Sequence, residues 1–172
     1  MFSNKLTLLF FIIAMPLALL AGCSDNTAVT KNVITQKHEA ITLAIHKSPL
    51  CGCCNDWINH VNSHGFQSIV HDEDNVSTVK DKMGIEPRYR SCHTAISENG
   101  YAFEGHVPAK FIQQFLNETH ANDVIGLSVP AMPVGTPGME VDDRFDPYRI
   151  LLLKSDGSYE IYAEVHTYEE QF

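Results

Sequence analysis

A short apolar run rich in branched residues, Ala40 to His46, is broken by Lys47-Ser48-Pro49-Leu50 and gives way to a helical pattern from Cys53 to His64. This hand-over from strand to helix narrows the possible folds most, because a run of branched residues and a three-and-four spacing belong to different elements. Within the helix, Trp57, Ile58 and Val61 share a face and Gly65 stands as a C-terminal stop. Phe66 to Val70 reads as a second strand. Asn75 to Met83 reads as a second helix, with Val76, Val79 and Met83 on one face and Gly84 at its end. Thr94–Ser97 and Tyr101–Glu104 flank Glu98-Asn99-Gly100, whose Asn-Gly pair is a strong hairpin signal. Ala109 to Asn117, with Phe111, Ile112 and Phe115, supplies a third helix.

The resulting βαβα-ββα order is that of the thioredoxin fold, so the fold class expected is a single α/β, thioredoxin-like domain over residues 40–172. Beyond it, Gly126 to Met139 is dense in Pro and Gly and is expected to hold no regular structure. Tyr148–Lys154 and Tyr159–Val165 read as a terminal hairpin around Ser155-Asp156-Gly157-Ser158, either extending the sheet or forming an edge ribbon. No internal repeat or low-complexity tract is present.

The N-terminus has its own logic. Lys5 is followed by an apolar run from Leu6 to Leu20, shorter than the roughly 20 residues a membrane span needs, and residues 1–22 read as a signal peptide. Leu20-Ala21-Gly22-Cys23 resembles the bacterial lipobox, which makes Cys23 the lipidated mature N-terminus. Acyl chains contribute about 0.8 kcal/mol of membrane affinity per buried methylene. Residues 23–39 then form a flexible tether on the periplasmic side. By resemblance to lipoprotein sorting signals, Ser24 after the cysteine favours the outer membrane. Removing residues 1–22 takes away Lys5 and no acid, so 11 basic and 21 acidic residues leave a net charge of −10, which argues against nucleic acid as a partner.

The remaining 150 residues can bury a core without disulfide staples. Yet Cys51, Cys53 and Cys54 fall within four positions, and Cys92 is the fourth cysteine of the domain. A structural framework spreads its cysteines to close long loops, whereas this spacing gathers thiols at one point. In the order above, the first two strands run parallel, the third runs opposite and the fourth parallel again. One sheet edge therefore collects Cys51–Cys54, His71 and Asp72, Cys92 and His93, and His106, on the side where α/β sheets bind ligands. Free amides at the start of the first helix favour thiolates. Clustered thiolates suit copper(I) or zinc rather than magnesium or calcium. Met132 and Met139, thioethers on the irregular loop, shift the balance toward copper if that loop folds over the edge, although both also suit packing.

Lys47-Ser48-Pro49-Leu50-Cys51-Gly52-Cys53-Cys54, Ser91-Cys92-His93-Thr94-Ala95, Glu104-Gly105-His106-Val107-Pro108-Ala109 and Met132-Pro133 with Gly138-Met139 together resemble the CopG-type family of periplasmic copper-resistance proteins, long filed as a metal-binding domain of unknown function. The likeness covers roughly residues 40 to 154. It implies a thioredoxin-like fold, copper binding as Cu(I) or Cu(II), and a role in copper tolerance, with periplasmic copper-handling proteins as partners. The family's ligands map onto Cys51, Cys53, Cys54, Cys92 and His106, with His93 beside them. The rival reading is a thiol–disulfide oxidoreductase in which Cys51 attacks and Cys54 resolves, since Cys51-x-x-Cys54 has that spacing at a helix start. Against it, Cys53 and Cys92 are surplus to a two-thiol mechanism and no proline stands beside Cys92. Zinc remains open as the metal. No turnover chemistry is required; if there is any, it is thiol–disulfide or copper-linked oxidoreduction.

Overall fold

The computed structural model describes residues 40–172; the expected signal peptide over 1–22, the expected lipidation at Cys23 and the expected tether over 23–39 lie outside the described residues. Seven strands form one mixed sheet with the order β2-β1-β3-β4-β5-β6-β7. In chain order, β1 (Ile41–Lys47), α1 (Gly52–Ser63), β2 (Phe66–Asp72), α2 (Ser77–Lys82), β3 (His93–Ser97), β4 (Ala102–Glu104) and α3 (Ala109–Leu116) keep the expected succession. They are followed by β5 (Val124–Ser128), β6 (Tyr148–Lys154) and β7 (Tyr159–Val165). β1 pairs in parallel with β2 and antiparallel with β3, which pairs antiparallel with β4.

Alternation along the strands divides the interior in two. Leu43 and Ile45 of β1, Ala95 of β3, Phe103 of β4 and Leu127 of β5 meet Trp57, Ile58 and Val61 of α1 and Phe111, Ile112 and Phe115 of α3. The opposite face is covered more thinly, by Ile85 and Tyr89 over Ala102, Leu151 and Leu153. α3 starts without a side-chain cap of its own. Its first free amide, Ala109 N–H, donates instead to Nε2 of His60 on α1 at 3.0 Å, which joins the two helices that cover the larger core.

The expectation of irregular backbone from Gly126 onward is corrected at its first three residues. β5 runs to Ser128, pairs in parallel with β4 and carries the terminal β6-β7 hairpin into the sheet as its continuation. Gly126, with φ +145, sits at a register shift where an added Cβ would lie 1.8 Å from the Ala102 carbonyl oxygen. The glycine that hides the strand is what lets β5 approach β4. In the second helix, Lys80 is buried while Val76, Val79 and Met83 are half-buried, so the helix turns a charged residue inward.

Candidate metal centre

Four chain segments converge on the expected edge. Lys47 at the end of β1 is in register with His93 at the start of β3, which brings the Cys51–Cys54 turn beside Cys92. β4 ends at Glu104, and Gly105, with φ +73, turns the chain so closely against Ser91 that an added Cβ would lie 2.6 Å from the serine Cβ. That turn delivers His106 to Cys92, with Nε2 3.1 Å from the sulfur. His93 Nδ1 lies 3.3 Å from the same sulfur.

The sulfur atoms of Cys51, Cys53, Cys54 and Cys92 all lie within 4.8 Å of one another, and Cys92 forms a second such group with the two imidazoles. Cys51 and Cys54 are joined in a disulfide, with Cα atoms 5.4 Å apart, so in this state neither offers a thiolate. Cys53 and Cys92 are free, and Cys53 Sγ is 3.5 Å from Cys51 Sγ. The expected donor set is thus assembled in space but divided by redox state. Reduction of one bond restores four thiols to one point.

Burial sets the protonation of the second group. It pushes the Cys92 thiol up to about 12, reinforced by neighbouring Cys53. It also lowers His106, opposed by the contact of its Nδ1 with the Pro137 carbonyl oxygen at 2.7 Å. His93, fully buried, is held well below its ordinary value by burial, with the positive charges of neighbouring groups adding to it. Both imidazoles are therefore held neutral, the form that ligates metals. His93 packs its ring 4.3 Å from that of Trp57, and its Nε2 is buried without a hydrogen-bond partner, an uncommon condition for a polar atom.

The Pro/Gly loop does fold over this edge. Pro137 holds His106, and Gly138 presses so closely on the start of α1 that an added Cβ would lie 2.6 Å from Trp57 N and 2.7 Å from the Cys53 carbonyl oxygen. Met139 is half-buried in that loop, whereas Met132 is exposed. Trp57, read as core, also borders the site, and its Nε1 donates to the Val107 carbonyl.

Sequence reasoning did not reach the group behind Cys92. Glu104 Oε1 accepts from Lys80 Nζ at 2.5 Å and from Ser91 N–H at 2.6 Å, while Oε2 accepts from Thr94 Oγ1 at 2.6 Å. Lys80, Thr94 and Glu104 are all buried. The Pro137 carbonyl escaped notice for a different reason: a main-chain oxygen leaves no mark in residue type.

A family described as a protein of unknown function, DUF411, matches residues 89–139. Two solved structures are similar to the chain. One is "Copper resistance protein copG- Form 2", 39% identical over 74% of this chain and 100% of its own, with a TM-score of 0.69. The other is "Copper resistance protein copG- Form 1", also 39% identical over 74% of this chain and 98% of its own, with a TM-score of 0.68. No curated protein matches.

Proposed function

Since this chain belongs to the family of the copper resistance protein CopG, we propose that it binds copper as cargo at the sheet edge and serves copper tolerance by sequestering it or passing it on. The observation that carries this reading is the gathering of four sulfurs, with His106 and His93 against Cys92. Soft thiolates and neutral imidazoles fit copper and exclude the oxygen-seeking cations. Cys53, Cys92 and His106 are the donors available in the oxidised state, and Cys51 and Cys54 join them on reduction. The number of thiolates offered to the metal then follows the redox state of one bond, which would link copper handling to thiol chemistry.

A lipid on Cys23 would hold the domain at the periplasmic face of the envelope, in the outer membrane by the identity of Ser24. What supports this is the sequence Leu20-Ala21-Gly22-Cys23. Other periplasmic copper-handling proteins are the partners such a placement calls for.

The test is copper and zinc content, by mass spectrometry, of protein purified from copper-treated cells and reduced anaerobically. Copper in the parent and its loss from both Cys51→Ser and Cys92→Ser is the expected result, and zinc in place of copper would keep the site and change the metal. Fractionation of the Cys23→Ser variant accompanies it, and a shift from the membrane to the soluble fraction is expected. The Cys51–Cys54 disulfide favours one second reading, a thiol–disulfide oxidoreductase. Metal-free protein that reduces insulin with Cys51 and Cys54 alone would establish it.

A further inference from the structure

Lys80, Thr94 and Glu104 meet on the face of the sheet opposite His93, and Glu104 also reaches the backbone of Ser91, whose hydroxyl lies 4.0 Å from the Cys92 sulfur. Along β3, Thr94 follows His93 and alternation turns it the other way; Glu104 pairs with it across β4. Lys80 is 4% exposed and Glu104 fully buried. A buried ion pair is a weak source of stability, since apolar residues of similar volume often do as well. Here Ile85, Tyr89, Ala102, Leu151 and Leu153 already pack that face, so the pair is not required to fill it.

What the carboxylate touches explains its presence better. One oxygen takes the backbone N–H of Ser91, the residue before Cys92. The other takes the hydroxyl of Thr94, two residues after Cys92, and that hydroxyl in turn accepts from Lys80 at 3.0 Å. Glu104 therefore grips the chain on both sides of Cys92. Its own main chain leads within two residues to His106, and Gly105 N–H donates to the His93 carbonyl. Ser91 is fixed a second time through its hydroxyl, which donates to the Ala131 carbonyl.

We infer that Glu104, held by Lys80 and Thr94, is a positioning residue that sets Cys92 against His106 from behind the sheet. The metal part of this inference rests on the copper reading above, whereas the placement of Cys92 does not. Removing such an outer support typically weakens metal affinity roughly 10- to 100-fold.

The deciding variant is Lys80→Met/Glu104→Gln, which removes both charges and leaves no unpaired ion in the core; Thr94→Val accompanies it and leaves the ion pair intact. Four quantities are read in the full-length protein: the thermal midpoint, the alkylation rate of Cys92 without metal, and the absorption spectrum and the affinity with cobalt(II) as probe. A folded double variant whose Cys92 alkylates about tenfold faster or slower than the parent, with an altered cobalt–thiolate band and affinity reduced on the scale above, is the expected result. Thr94→Val should move the same readouts in the same direction by less, and it decides the matter if the double variant does not fold. Parental alkylation and parental cobalt spectra in a folded variant would overturn the assignment. If the parent binds neither cobalt nor copper, the copper reading fails and the alkylation rates still judge Glu104.

Discussion

At the residue scale, His60 shows what a histidine away from the sulfurs can do. Burial first, and the neighbouring His64 second, lower its pKa from 6.5 to about 4, and its neutral Nε2 accepts the N–H that opens α3. The unfolded chain binds this proton more readily than the folded one. The stabilising contribution is therefore complete above about 6.5 and declines as pH falls toward about 4. His60→Gln retains an acceptor that cannot ionise, so its thermal midpoint should fall less steeply than the parent's across that window; parallel curves would contradict this. The cysteines and His106 were legible in the sequence because their chemistry resides in residue type and spacing. Lys80 was not, because a lysine on a short helix ordinarily faces solvent, and only packing reveals that this one does not.

At the scale of elements, the loop between β5 and β6 acts as a cover whose position depends on close backbone approach. Gly138 has φ +85 and no room for a methyl group against Trp57 N. Gly138→Ala should cost roughly 1–3 kcal/mol of stability and draw the Pro137 carbonyl from His106. Urea denaturation should show that loss, and alkylation of Cys92 in the folded variant should quicken. Unchanged values in both would mean that the loop adapts. The same density of Gly and Pro that marked the loop concealed β5. A strand interrupted by Gly126 and ending near Pro130 carries turn signals stronger than its strand signal, and its partner β4 lies too far back in the sequence to be read locally.

At the scale of the whole molecule, the order of elements from β1 to α3 was readable because each is a periodic segment closed by its own stop. The manner in which the terminal hairpin joins the sheet was not, since it depends on β5. The Cys51–Cys54 disulfide closes a loop so short that chain entropy assigns it only about 2 kcal/mol, and the two buried clusters do not depend on it. Chemical reduction should lower the thermal midpoint by only about 4–8 °C; unfolding on reduction would show that the disulfide maintains the fold.

The two parts of the donor cluster also differ in when they can come into being. Cys51 and Cys54 are neighbours in the chain and can find each other before anything else has folded. Cys92 meets Cys53 and His106 only after β3 has docked on β1 and β4 has turned back beside it. A chain folding under oxidising conditions can thus close its disulfide early, whereas the Cys92–His106 contact reports a completed tertiary structure and is a natural clock for the final steps of folding.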